Sequence, residues 1–128
     1  MKRILPLLTL MAIALTGCGA AGSGAEYRQI GMREAVEMMA SAQDYVILDV
    51  RTAQEFAQGH IPGATLLPNE EIGDEAPAQL PEKDQLILVY CRSGNRSKQA
   101  SAKLAKLGYT NVVEFGGIRD WPGEIATD

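Results

Sequence analysis

The sequence is poor in histidine and cysteine, the residues that most often build metal and redox sites. It has one histidine, His60, and two cysteines, Cys18 and Cys91, in 128 residues. No Cys-x-x-Cys motif occurs, and this absence disfavours a dithiol redox protein. The acidic stretch 70–75 has no histidine or second ligand cluster beside it. We therefore interpret it as part of a solvated surface connection with a helical turn rather than as a metal site.

Basic residues are also in the minority, with 12 lysines and arginines against 16 aspartates and glutamates. The formal net charge of -4 makes nucleic acid an unfavourable partner. The length and the 46% hydrophobic content fit one globular domain. Acidic residues are absent from residues 85–113, and the basic residues of that segment are Arg92, Arg96, Lys98, Lys103 and Lys106. This local charge favours an anionic substrate.

No uncharged apolar run is long enough to cross a bilayer comfortably as a helix. The longest, residues 4–15, follows Lys2 and Arg3, which is the pattern of a secretory signal. The next residues, Leu-Thr-Gly-Cys at 15–18, resemble the lipobox of bacterial lipoproteins. An ordinary cleaved signal, with Cys18 incidental, is the alternative.

The lipobox interpretation divides the chain into three parts. We predict a signal peptide at residues 1–17, a lipidated Cys18 with a flexible tether at 18–26, and a folded domain at 27–128. The domain is then anchored to the bacterial cell envelope outside the cytoplasm, on the periplasmic face in a Gram-negative cell. Cys91 becomes a lone thiol, because a Cys18–Cys91 disulfide would join a flexible tail to a loop.

Hydrophobic periodicity predicts alternating strands and helices. Apolar runs indicate strands at residues 45–50, 64–67, 86–90 and 112–115. Helical spacing or capping signals indicate helices at 31–42, at 52–58 after a Thr-x-x-Glu capping box, from Ser97 to a glycine cap at Gly108, and a turn at 118–121. This alternation predicts an α/β fold with a mainly parallel sheet.

The residues that follow strand 86–90 are Cys91, Arg92, Ser93, Gly94, Asn95, Arg96 and Ser97. A thiol placed between a strand and a helix faces unpaired backbone N–H groups, which favour an anion and lower a thiol pKa. Glycine and asparagine permit the positive φ angles that a curled anion cradle needs. Ser97 is expected to cap the helix. Cys91 is therefore the predicted nucleophile, and the loop the predicted substrate cradle.

Several motifs in order resemble the rhodanese family. They are Leu-Asp-Val-Arg at 48–51, Glu-Phe at 55–56, Gly-His-Ile-Pro-Gly-Ala at 59–64, Tyr-Cys-Arg-Ser-Gly-Asn-Arg-Ser at 90–97, Gly-Gly at 116–117 and Trp121. Each motif alone is weak, but their order across residues 27–121 is specific.

The resemblance implies a five-stranded, mainly parallel sheet flanked by helices on both faces. It also implies sulfur transfer from thiosulfate or a related donor to a thiol or cyanide through a Cys91 persulfide, with no cofactor or metal. We expect a monomer. The six-residue loop from Cys91 to Arg96 is one residue shorter than that of related phosphatases and arsenate reductases, which favours sulfur over phosphate.

The resemblance also bears on four residues outside the loop. Asp49 and Arg51 are expected to brace the loop through hydrogen bonds. His60 is interpreted as structural rather than as a catalytic partner of Cys91, and Trp121 as a packed indole rather than a pocket wall. A persulfide carrier that serves a specific protein partner, with little turnover of free thiosulfate, is the alternative function.

Overall fold

The computed structural model describes residues 26–128. The predicted signal peptide, Cys18 and nearly all of the predicted tether lie outside the described residues. The elements in chain order are β1 (Arg28–Gln29), α1 (Met32–Ser41), β2 (Tyr45–Asp49), α2 (Ala53–Gln58), β3 (Thr65–Leu66), a 3-10 turn (Asn69–Glu71), β4 (Leu86–Cys91), α3 (Asn95–Lys106), β5 (Val112–Gly117) and a second 3-10 turn (Ile118–Asp120). Among these, no helix has the length and apolar character needed to cross a membrane.

The five strands form one parallel sheet in the order β1-β5-β4-β2-β3. This confirms the predicted α/β fold and the five-stranded sheet implied by the family resemblance. The apolar pattern did not indicate β1, because Arg28 and Gln29 are both exposed. In a parallel sheet the carboxyl ends of the strands share one edge. Asp49, Cys91 and Gly117 therefore end their strands at the same edge.

Each face of the sheet is covered by its own apolar cluster. On the side of α3, Val89 and Leu104 are among the buried residues. On the other side, Ala35 of α1 packs with Tyr90 and Phe115. A fully buried valine, leucine or phenylalanine side chain stabilises the fold by about 1.5–3 kcal/mol relative to the same side chain exposed to water. Consecutive residues of β4 thus point to opposite clusters, which places Cys91 on the α3 side.

Two helices begin one residue after the predicted positions, and the third begins two residues before its predicted position. Gly31 precedes α1, and Thr52 caps α2 through a capping box in which its hydroxyl accepts from the Glu55 N–H. The prediction that the third helix starts at Ser97 is wrong, because α3 begins at Asn95. Gly94, in a left-handed conformation, allows the chain to turn into the helix two residues earlier.

Candidate active site

Cys91 is the last residue of β4 and is a free thiol with 1% of its surface exposed. The next three residues form a tight loop that ends at Gly94, whose φ of 111° is in the left-handed region. The Gly94 N–H donates to Cys91, with 3.0 Å between nitrogen and sulfur. At least one backbone N–H of the loop thus points at the thiol, and the use of the loop as a substrate cradle stays a prediction.

The surroundings of Cys91 have opposing effects on its pKa. Burial raises the pKa because a thiolate loses its hydration. Hydrogen bonds from the Ser97 hydroxyl and from the backbone N–H groups of Ser97, Gly94 and Ser93 lower it by more, so the pKa lies below its usual value. The donors at the start of α3 therefore favour a nucleophilic thiolate.

Gly117, the last residue of β5, lets that strand approach the loop. A Cβ on Gly117 would lie 2.0 Å from the carbonyl oxygen of Arg92 and 2.6 Å from the Ser93 nitrogen. The Arg119 N–H also donates to the Arg92 carbonyl at 3.3 Å. Only a residue without a side chain fits at Gly117, so the loop is shaped from outside as well as by its own sequence.

Ser97 lies in the first turn of α3 and is fully buried. The prediction that it caps the helix is wrong, since Gly94 holds the position before the helix. Its Oγ lies 3.4 Å from the sulfur of Cys91, 3.0 Å from the carbonyl oxygen of Gly94 and 2.7 Å from Oε2 of Glu114. Ser97 thus connects the thiol to a buried carboxyl group.

Arg96 is joined to α2 rather than directed freely at the loop. Its two terminal nitrogens donate to the two carboxylate oxygens of Glu55 at 2.6 and 2.9 Å. The hydrogen bond from Arg96 lowers the pKa of Glu55 to about 2. Although residues 85–113 contain no acid, the fold brings Glu55 and Glu114 to this segment from elsewhere in the chain.

Asp49 and Arg51 form a buried network with Tyr90. Arg51 donates to both Asp49 oxygens and to the Gly59 carbonyl, and the Tyr90 hydroxyl donates to Asp49 at 2.6 Å. These bonds end on Tyr90, the neighbour of Cys91, and on Gly59, not on residues 92–97. Support for the loop by Asp49 and Arg51 is therefore indirect.

Arg92 is exposed and lines a cleft of about 390 Å³. The other lining residues are Arg51, Glu55, Gln58, Gly59, Ile118, Arg119 and Ile125. Glu55 is paired with Arg96, and Arg51 is paired with Asp49. Among the described residues, no ion pair neutralises the other two charged lining residues, Arg92 and Arg119. Such a wall suits a small anion.

A model of the rhodanese-like domain family matches residues 32–124. The chain belongs to the rhodanese family. Thiosulfate sulfurtransferase PspE of Escherichia coli is 36% identical over 73 residues, which cover 57% of this chain and 70% of that protein. Thiosulfate sulfurtransferase GlpE of Pseudomonas entomophila is 36% identical over 106 residues, covering 79% of this chain and 94% of GlpE.

Solved structures give the same family. The crystal structure of a rhodanese-related protein from Thermoplasma volcanium has a TM-score of 0.67 and 30% identity, and the match covers 80% of this chain and all of that one. The family and the relatives' names together support a sulfurtransferase. Cys91 lies within the matched region.

His60 has structural contacts in this rhodanese domain. It is 3% exposed, stacks on Phe56 at 3.7 Å, and its Nδ1 lies 2.8 Å from the Phe56 carbonyl. Its backbone pairs with Ala126. Trp121 packs against the cluster on the α1 side and donates to the Glu124 carbonyl at 3.0 Å. These contacts agree with the structural interpretation of both residues.

The sequence did not single out three of the charged residues at the rhodanese site. Glu55 appeared in the capping box and in the Glu-Phe motif at 55–56, but neither pattern indicated its ion pair with Arg96, 41 residues away. Arg119 had no distinguishing pattern. Glu114 did carry a signal, since it is the one charged residue within the apolar strand pattern 112–115. Across residues 26–128, no cluster of three or more histidine, cysteine, aspartate or glutamate side chains is placed to hold a metal ion.

Proposed function

We propose that this domain moves sulfane sulfur from thiosulfate or a related donor to a thiol or cyanide through a persulfide on Cys91. The observation that carries the proposal is the buried Cys91 sulfur with the Gly94 N–H aimed at it. Together with the N–H groups of Ser93 and Ser97, this N–H favours a sulfur anion at Cys91. The names of the relatives PspE and GlpE support thiosulfate as the donor.

In the first half-reaction, the Cys91 thiolate attacks the outer sulfur of thiosulfate. A bond forms between Sγ and that sulfur, the sulfur–sulfur bond of thiosulfate breaks, and sulfite leaves with the bonding electrons. The charged cleft beside Arg92 and Arg119 attracts the dianionic donor. The N–H groups that stabilise the thiolate also stabilise the persulfide anion that replaces it.

In the second half-reaction, a nucleophilic acceptor attacks the outer sulfur of the persulfide. Cyanide leaves as thiocyanate, a thiol becomes a persulfide, and Cys91 returns as the thiolate. The same backbone donors serve both directions, because a sulfur anion occupies the site at the start and end of each half-reaction.

Steady-state formation of thiocyanate from thiosulfate and cyanide tests this function. The native protein should turn over, Cys91→Ser should not, and Ser41→Ala, on the exposed surface of α1, should match the native rate. Loading of Cys91 without turnover would identify the alternative, a carrier for a specific protein partner. Equal turnover by Cys91→Ser would contradict both functions.

We also propose that lipidated Cys18 anchors the domain to the cell envelope, on the strength of the Leu-Thr-Gly-Cys sequence that follows the apolar leader. Expressed in a bacterium, the full chain should incorporate labelled palmitate and sediment with membranes. Cys18→Ser should do neither, while Cys91→Ser should do both. Labelling that survives Cys18→Ser would contradict the anchor.

A further inference from the structure

Glu114 is a buried acid with no cation to balance it. It is 3% exposed, and no ion pair joins it to any residue that the structure describes. It lies in β5, in register with Val89, two residues before Cys91 on the neighbouring strand. Burying a carboxylate costs several kcal/mol unless it is paired or protonated. The groups that contact the Glu114 carboxyl must therefore account for its burial.

Two donors converge on one oxygen of Glu114. Oε2 lies 2.7 Å from the Gly116 nitrogen, which donates, and 2.7 Å from the hydroxyl oxygen of Ser97. Hydrogen bonds to a charged acceptor are short and strong. The resting geometry thus fits an ionised Glu114 that accepts the proton of Ser97.

Ser97 has only one hydroxyl proton for several neighbours. Its Oγ lies 2.7 Å from Glu114 Oε2, 3.0 Å from the Gly94 carbonyl, 3.4 Å from the Gly116 carbonyl and 3.4 Å from Cys91 Sγ. While the proton is directed at Glu114, a lone pair of Ser97 is available to accept from the Cys91 thiol. Ser97 can stabilise a thiolate only after it turns its proton toward the sulfur.

We propose that Glu114 controls the protonation of Cys91 through Ser97. The S–H bond of Cys91 breaks and its proton passes to Ser97 Oγ, while the Ser97 proton passes to Glu114 Oε2. The three residues carry one negative charge before and after, so the thiolate forms without a second buried charge. Glu114 is by this argument a positioning residue, because it acts on the nucleophile through Ser97.

This proposal rests on the proposed function, in which Cys91 is the nucleophile. When the thiolate attacks the donor, the persulfide anion inherits its negative charge, and Glu114 keeps the proton. When the acceptor removes the outer sulfur, the thiolate returns and can recover the proton by the reverse path. No oxidant, reductant or cofactor enters the balance.

Few other charged or titratable groups lie around Cys91, Ser97 and Glu114. From α3, the guanidinium of Arg96 attracts the Cys91 thiolate and is itself paired with Glu55. The strands beside Glu114 contribute Val89 of β4 and the uncharged Gln29 of β1 at its register positions. Exposed Arg92 lines the cleft. A separate network joins Asp49, Arg51 and Tyr90, and Tyr90 belongs to the apolar cluster on the α1 side of the sheet.

The rate at which iodoacetamide alkylates Cys91, measured against pH, tests the proposal without requiring sulfur transfer. The full chain with Cys18→Ser leaves Cys91 as its only thiol. In this protein the rate should rise in two steps, because two coupled groups lose protons in turn. When Glu114→Gln is added, the alkylation rate should rise in one step only. The midpoint of that step should lie at least about one pH unit below the midpoint of the parent's upper step.

Ser97→Ala supplies the matched control. With Ser97 removed, Glu114→Gln should lose most of its effect on the profile, because the connection is already broken. The proposal would be overturned if the alkylation rate of the parent and of Glu114→Gln rose in the same single step. It would also be overturned if Glu114→Gln shifted the pH profile as far in the Ser97→Ala protein as in the parent. A purely structural Glu114 would change the melting temperature and leave the profile in place.

Infrared spectroscopy of the parent protein tests the proposed protonation of Glu114 even if Glu114→Gln does not fold. Between the two steps one proton is shared by Cys91 and Glu114, so a band from a protonated carboxylic acid should be present there at part of its full intensity and should disappear at the upper step. Absence of that band over the whole interval would also overturn the proposal. Since neither measurement uses thiosulfate, failure here is distinguishable from failure of the sulfurtransferase function.

Discussion

At the scale of single residues, the buried polar side chains near Cys91 pair with one another. Asp49 is fully buried and accepts from Arg51 and from the Tyr90 hydroxyl. Burial lowers the pKa of Arg51, but the hydrogen bond and charge of Asp49 raise it by more, so the guanidinium stays charged. Burial and the bond to Asp49 raise the pKa of Tyr90, which keeps its donor proton. The contact with Asp49 thus favours the protonated forms of Arg51 and Tyr90.

Asp49→Asn should destabilise the protein by about 3–5 kcal/mol, because the buried Arg51 charge loses its counterion. Urea unfolding at neutral pH measures this directly. Asp74→Asn, on an exposed position, should stay within about 0.5 kcal/mol of the native protein. A loss of less than about 1 kcal/mol for Asp49→Asn would contradict the paired network.

At the scale of elements, two contacts hold the loop that carries Cys91. The Glu55–Arg96 pair links α2 to the first turn of α3. Gly117 lets the end of β5 lie against the loop backbone. Neither contact follows from local sequence patterns, since each joins segments far apart in the chain. The sequence predicted where the loop begins but not what encloses it.

The Glu55–Arg96 pair should make stability depend on pH below the ordinary glutamate range. The folded pKa of Glu55, about 2, lies below its usual 4.5. The associated stability is therefore complete above pH 4.5 and is lost as pH falls toward 2. The full shift corresponds to at most about 3 kcal/mol, and the partial exposure of Glu55 reduces it.

Glu55→Gln tests this dependence by denaturant unfolding at several pH values. The difference in unfolding free energy between native and variant should be greatest at neutral pH and shrink toward zero near pH 2. Glu71→Gln, at an exposed position, should track the native protein throughout. A difference that is constant over the whole range would show that the ion pair is not its source.

Gly117→Ala should displace the loop, because the added Cβ would overlap the Arg92 carbonyl. We expect the N–H donors to move off the sulfur and alkylation of Cys91 at neutral pH to slow by about tenfold, the effect of one unit in thiol pKa. Gly73→Ala, with no atom within 4 Å of the added carbon, is the control. Unchanged alkylation in Gly117→Ala would mean that the loop does not need this approach.

At the scale of the whole molecule, the alternation of apolar runs and helical spacing was sufficient to predict the α/β fold. The ordered motifs were sufficient to predict the family, whereas the role of Cys91 as nucleophile stays a prediction. The hydrophobic pattern could not predict β1, because both residues of that strand are exposed. It could not predict the start of α3 at Asn95 either, because that start depends on the backbone conformation of Gly94. The contacts of Glu55 and Glu114 required the tertiary structure, because 41 and 17 residues separate them from their partners.

The central claim is that Cys91 carries the transferred sulfur, and intact-protein mass spectrometry tests it most directly. After incubation with thiosulfate, the full chain with Cys18→Ser should gain the mass of one sulfur atom, and cyanide should remove it. The same protein with Cys91→Ser should gain nothing. No adduct in the first protein, or an equal adduct in the second, would contradict the claim.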